Sequence, residues 1–249
     1  PDSFSGDGVW GDVGAAVDYA VKLADEGADV IDVGGESSRP FAEPVSVDEE
    51  LQRVVPVIKK ISRRLTIPIS IDTYKPEVAQ EAVEAGASMV NDINALRTEG
   101  MAEVVSRYDI PVVLMHMQGT PRDMQGNPRY DDVVGEIMAF LKKQAAFALK
   151  HDISGDKIIL DPGIGFGKTT EHNLEIIRRL REFRSLGFPI LIGTSRKSFI
   201  GNILDLPQGE RLEGTMASVA AGILNGADIV RVHDVRGNVR VARMIDCLK

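Results

Sequence analysis

Residues 84–92, EAGASMVND, end a helix on a glycine and pass through one alanine into an apolar run. The same arrangement recurs at 25–33 (DEGADVIDV) and at 224–232 (LNGADIVRV). A glycine just past the last helical turn takes the left-handed conformation that closes a helix, so each copy reads as a C-cap feeding a β-strand. Copies this far apart call for an architecture in which strand and helix alternate throughout.

Seven short, β-branched runs recur along the chain: 28–35, 67–73, 88–94, 111–117, 157–163, 188–195 and 227–234. They are apolar almost without interruption, which suits strands buried on both faces of a parallel sheet. An amphipathic segment follows each. SVDEELQRVVPVIKKISRR (46–64) offers Ser46 as N-cap with Glu49 three residues on, a capping box. Residues 131–152 keep an apolar stripe at helical spacing. No composition break divides residues 1–249, so one domain is expected, either a doubly wound sheet or a (β/α)8 barrel. The chain opens on PDSFSGDG (1–8) and the helix-like 12–27, a βα-loop and its helix with no strand in front. A strand preceding Pro1 would complete a TIM barrel of eight.

Composition narrows the function. A net charge of −8 argues against nucleic acid, which needs a basic stripe, but not against a small anion in a local basic pocket. The single cysteine, Cys247, excludes an intrachain disulfide and a thiolate metal site. With no signal peptide and no long apolar run, a soluble cytoplasmic protein with no membrane partner is expected.

Both architectures bind ligands at the C-terminal ends of their strands. The polar residues there are Glu36, Ser37, Ser38 and Arg39; Asp72; Asn91 and Asp92; His116; Asp161; Ser195, Arg196 and Lys197; and Arg231, His233 and Asp234. Taken singly, each is better explained as a helix cap or an ion-pair partner; together they converge on one mouth. Asp72, Asn91, Asp161 and Lys197 suit a flat heterocycle with an aminopyrimidinone edge. Arg39, Ser195, Arg231 and His233 are donors suited to an anion such as pyrophosphate. Arg231 and His233 alternate about Val232, which puts both on one side of their strand. A diphosphate leaving group on a heterocyclic substrate satisfies both sets. His116, His151 and His172 have no partner at metal-ligand spacing.

Residues 158–173, IILDPGIGFGKTTEHN, come near a P-loop, but Pro162 stands where a Walker loop needs glycine. The glycines then read as room for a flat ring, with Phe166 closing one side, and Lys168 as a peripheral surface charge. Residues 117–130 form either a mobile lid or a long surface connection.

PDSFSGDG (1–8), DVGGESSRP (32–40), SIDTYKPEVAQEAVEAGASMVNDI (70–93), LDPGIGFGK (160–168), GTSRKSF (193–199) and RVHDV (231–235), in this order, closely resemble the bacterial dihydropteroate synthase family, from Pro1 to about His233. The resemblance implies a TIM-barrel transferase of folate biosynthesis, usually homodimeric. It joins 6-hydroxymethyl-7,8-dihydropterin pyrophosphate to p-aminobenzoate, in an SN1-like reaction with Mg2+ assisting the leaving group. Carried over by motif, pterin would meet Asp72, Asn91, Met115, Asp161, Phe166 and Lys197, and pyrophosphate Ser38, Arg231 and His233. p-Aminobenzoate, which sulfonamides mimic in this family, would meet Arg39, Pro40, Phe166, Lys197 and Ser195. Lys197, Asp161 and Asp72 are the expected catalytic residues. The family's metal-holding Asn belongs to the strand expected before Pro1, so no metal ligand is assigned in residues 1–249. Ser38 stands where the family usually has Thr. The apolar residues of the last two helices would suit a dimer interface. A methyltetrahydrofolate:corrinoid methyltransferase would share the pterin pocket without needing SRK (195–197) and RVH (231–233). A P-loop NTPase and a catalytically silent binding barrel are the readings from other classes.

Overall fold

Parallel strands lie side by side in sequence order in the computed structural model, each followed by helix, and the structure describes residues 9, 11–39 and 42–249. Helix α1 (Val13–Asp25) leads into β1 (Ile31–Gly34), and α2 (Val47–Ile61), β2 (Ile69–Asp72), α3 (Pro76–Glu84) and β3 (Met89–Asp92) follow. Then come α4 (Met101–Tyr108), β4 (Val112–Met115), α5 (Val133–Lys150), β5 (Ile158–Asp161) and α6 (Thr170–Arg178). The chain continues with β6 (Leu191–Ile192), α7 (Ser198–Leu204), α8 (Leu212–Leu224), β7 (Ile229–Val230) and α9 (Val235–Asp246). Strands β1 to β5 form one parallel sheet and β6 pairs with β7, a parallel bridge between Leu160 and Ile190 joining the two sets. All seven expected strands are present, shorter than their apolar runs, in the arrangement of a TIM barrel.

The repeated glycines end helices as their spacing predicts. Gly27, Gly86 and Gly226 have φ of +103, +121 and +106°. In each case the next amide reaches back to close the turn: Ala28 N–H to Leu23 O at 3.1 Å, Ala87 to Ala82 at 2.9 Å and Ala227 to Gly222 at 2.9 Å. These are Schellman turns. The box expected at Ser46 is half made. Ser46 accepts the Glu49 N–H at 3.2 Å, but the Glu49 carboxylate turns to Arg53 at 2.5 Å. A complete box stands instead at Thr169 and His172, ahead of α6.

Register sorts the strand residues into two shells. Paired positions such as Asp32 with Ser70, Asn91 with Val113 and Met115 with Asp161 face one side. Their neighbours Ile31, Ile69, Ile71, Val90, Leu114, Ile158, Leu160 and Ile192 face the other and join the large core beneath the helices. The inner side has only a small apolar floor of Val113, Ile159 and Leu191, flanked by Met89 and Ile229. Above that floor the inward residues Asp32, Asp72, Asn91 and Asp161 are polar, with Met115 the apolar member among them.

Candidate active site

The three glycine repeats position three of those inward side chains. The fifth residue after each glycine is Asp32, Asn91 and Arg231 respectively. Arg231 donates through Nε to Asp32 Oδ2 at 2.6 Å, and Asn91 Nδ2 donates to the same oxygen at 3.3 Å. Asp32 was not among the residues expected in the site. Its place in the repeat, level with Asn91 and Arg231, is the signal that marks it. Its other oxygen, Oδ1, is buried without a hydrogen-bond partner.

Arg231 also donates through Nη2 to Asp72 Oδ2 at 2.9 Å. Burial pushes the Asp72 carboxyl up to about 7 even though Arg231 pulls it down. Asp161, at the end of β5, accepts the Gly163 N–H at 2.7 Å, and burial raises it to about 6. Lys197 Nζ lies 4.2 Å from the centre of the Phe166 ring. Burial and then the charge of Arg231 lower the Lys197 ammonium to about 8, against the pull of Asp161 and Asp72. Phe166 and Met115 belong to one buried cluster with Ile93, Met117 and Met124. Asp72, Asn91, Asp161, Lys197, Phe166 and Met115 are thus linked at the strand ends by Arg231, Asp32 and the Met115–Phe166 cluster.

The donor set splits in two. Arg231 works on the carboxylates just described, while Ser195 Oγ accepts the His233 N–H at 3.2 Å and lies 2.8 Å from His233 Nδ1. A Ser195 hydroxyl donating to Nδ1 leaves the proton on Nε2, where it can be given to an anion. Arg196 (φ +55°) grips Asp234 with two bonds of 3.0 and 2.7 Å, tying the loop after β6 to the one after β7. Ser38 lines a narrow cleft with Asp72, Thr73 and Tyr74. Arg39 is exposed on the same loop, and Pro40 lies outside the described residues, as do residues 1–8.

Several mouth residues serve the scaffold instead. Asp92 faces outward, wholly buried, and accepts the Asn94 and Leu96 amides at 2.7 Å each, holding a turn in which Ala95 and Leu96 are left-handed. Glu36 takes the Tyr74 hydroxyl at 2.8 Å and the Lys75 ammonium, which also reaches Glu50 at 2.5 Å and Val45 O at 2.6 Å. That network moors the loop carrying Ser38 and Arg39. His116 packs edge-on to Phe140, behind the mouth.

Lys168 is the clearest correction. It is 3% exposed, not a surface charge, and its ammonium turns into the protein toward His116 and the Phe166 carbonyl. A P-loop lysine must face its phosphates, so this loop is not one. The glycines also serve tight backbone packing: Gly163 has φ +71°, and a Cβ there would lie 1.9 Å from the His116 carbonyl oxygen. The segment 117–130 packs onto the same loop through Gln125 and Tyr130, with Met124 buried in the cluster of Met115 and Phe166.

Among the described residues no cluster of three acidic, histidine or cysteine side chains could hold a metal, and no helix is long and apolar enough to cross a membrane.

A TIM barrel whose mouth sets buried carboxylates beside an aromatic ring and a basic edge is a pterin-binding enzyme in outline, and the family model of that description, pterin binding enzyme, matches residues 1–233. At the identities found among its relatives, the chain belongs to the dihydropteroate synthase family. It is 47% identical over 249 residues to the dihydropteroate synthase of Bacillus subtilis (strain 168), covering all of this chain and 85% of that one. To the enzyme of Escherichia coli (strain K12) it is 45% identical over 246 residues, covering 99% and 87%. The crystal structure of Yersinia pestis dihydropteroate synthase with a sulfonamide drug complex superposes with a TM-score of 0.97 at 40% identity, covering 100% of this chain and 90% of that one. The Xanthomonas albilineans enzyme in complex with 7,8-dihydropteroate gives a TM-score of 0.87 at 39% identity, covering 97% and 87%.

Proposed function

We propose that the mouth condenses 6-hydroxymethyl-7,8-dihydropterin pyrophosphate with p-aminobenzoate, giving 7,8-dihydropteroate and pyrophosphate, and that the pyrophosphate leaves before the amine attacks. The observation that supports this order is the pair of buried carboxylates, Asp72 and Asp161, placed to face a developing cation. Asn91 and Asp161 address the aminopyrimidinone edge of the pterin, whose ring lies among Met115, Phe166 and Lys197. The C–O bond breaks with its electron pair going to pyrophosphate, which Arg231, the Ser195–His233 pair and Ser38 receive. The methylene cation left behind is stabilised by the negative charge of Asp72 and Asp161. The p-aminobenzoate nitrogen, held near Arg39 and Lys197, then forms the C–N bond and loses its proton to water.

Mg2+ would enter this reading as a partner of the diphosphate, where it would supply charge neutralisation beside Arg231 and His233. A homodimer is the second part of the proposal. Ile203, Leu204, Leu224, Met244 and Leu248 are large apolar side chains exposed on and just after α7, α8 and α9. Sedimentation of the full-length protein as a monomer at micromolar concentration would exclude it.

The reaction is tested by incubating the full-length protein with both substrates and Mg2+ and following dihydropteroate and pyrophosphate together. Equal release of the two, dependent on p-aminobenzoate, is expected. Calorimetry that detected tight, Mg2+-dependent binding of ATP and none of the pterin pyrophosphate would overturn the assignment.

A further inference from the structure

Lys168 takes no part in the chemistry just described, yet it is one of the most enclosed charges in the molecule. Its ammonium meets Phe166 O at 2.9 Å, His116 Nδ1 at 3.0 Å and His116 O at 3.3 Å. An ammonium has three hydrogens, and here each has an acceptor. None of the acceptors is a carboxylate, and burial lowers the Lys168 pKa to about 7, against the pull of Asp161. Burial and the charge of Lys168 hold His116 down at about 2, so the imidazole is neutral and Nδ1 is free to accept. A buried ammonium without a counter-charge weakens a fold unless its hydrogen bonds are complete.

Those bonds join the end of β4 to the loop that carries Phe166. The two neighbouring carbonyls are held from the segment 117–130: Gln125 Nε2 donates to Gly165 O at 2.7 Å and the Tyr130 hydroxyl to Gly167 O at 2.8 Å. Of the three carbonyls in a row, only that of Phe166 is fastened to the barrel wall. Its ring packs in the cluster with Met115 and Ile93 and lies under Lys197.

We propose that Lys168 is a positioning residue for the pterin face of the site, setting the Phe166 ring between Met115 and Lys197 by tying its carbonyl to the end of β4. The inference rests on the reading that seats the pterin beside Phe166 and Lys197, and the test separates the two. Lys168→Met keeps the length of the side chain and removes all three donors; Phe166→Leu removes the ring directly. Each variant is compared with the wild type for thermal melting, for the Kd of a pterin by calorimetry, and for kcat and both KM values.

Lys168→Met is expected to fold, to weaken pterin binding about tenfold, and to raise the KM of the pterin substrate in step. A purely structural role would lower melting and the active fraction but leave the Kd of the folded protein unchanged. If Lys168→Met melts below the assay temperature, Lys168→Gln, whose amide can still donate once, is measured in its place and expected to weaken binding less than Phe166→Leu does. Wild-type pterin affinity in either folded lysine variant, with Phe166→Leu impaired, overturns the proposal and leaves the site reading intact. Wild-type affinity in Phe166→Leu as well removes the site reading beneath it.

Discussion

Asp72 and Asp161 both point into the barrel, and the protein satisfies them in different ways. Asp72 faces a guanidinium at 2.9 Å on Arg231, a side chain that is 47% exposed and shared with Asp32. Asp161 faces a backbone amide at 2.7 Å, fixed by a loop that is buried on every side. A side chain that is half in solvent can leave its partner when an anion arrives; an amide cannot. On the proposed reading the β5 side of the mouth recognises the ring, and the β1–β2–β7 side changes its pairing when diphosphate binds.

The sharpest way to break this comparison is to neutralise the fixed side. Asp161→Asn is expected to lower kcat by about 10²–10³-fold, and Lys197→Ala by a similar factor, with both proteins folded. Steady-state rates near wild type in either variant would show that the ring-recognising side lies elsewhere. Gly163→Ala attacks the amide itself. With its Cβ 1.9 Å from the His116 carbonyl and φ of +71°, it should cost about 3 kcal/mol in a denaturant titration and displace Asp161.

The exchangeable side is read through pH. The proposed reaction uses Asp72 and Asp161 ionised and Lys197 protonated, so kcat/KM should fall below about 7 to 6 and again above about 8. Arg231 lowers both Asp72 and Lys197. In Arg231→Ala both limbs should therefore move to higher pH, beneath a general loss of rate. Limbs that stay in place would mean the guanidinium is not paired with Asp72 in solution.

The smallest effect concerns stability. The folded pKa of Asp161 is raised above its unfolded value, so its contribution is fully present below about 4 and lost as pH rises through about 6. Above that the ionised carboxylate costs the fold. Asp161→Asn should melt a few degrees higher than wild type at pH 8, and the gap should close by pH 4. A variant that melts lower at pH 8 would contradict the sign.

Much of this was legible in the residues because the signals were local. Apolar runs located all seven strands, and the glycine repeat located three helix ends, since helix closure is settled within a few residues. The placement of Asp72, Asn91, Asp161 and Lys197 at the strand ends follows from the same runs. Partners across the barrel were not legible. Nothing near Asp32 in sequence points to Arg231, 199 positions away, because their contact depends on strand order and register. Lys168 was misread for the same reason: its acceptors at His116 come from the neighbouring strand. Glu49 shows a smaller version, where an i,i+4 arginine outbid the helix cap for one carboxylate.

The two shells of the strands have a consequence for how this protein can fail. Most of its apolar burial lies between sheet and helices, while the barrel interior holds a small apolar floor and, above it, a largely polar layer beside the Met115–Phe166 cluster. Cohesion and chemistry are thus stored in separate compartments of the same strands, one residue apart. Exchanges at inward positions reach the chemistry first and leave the outer apolar shell in place.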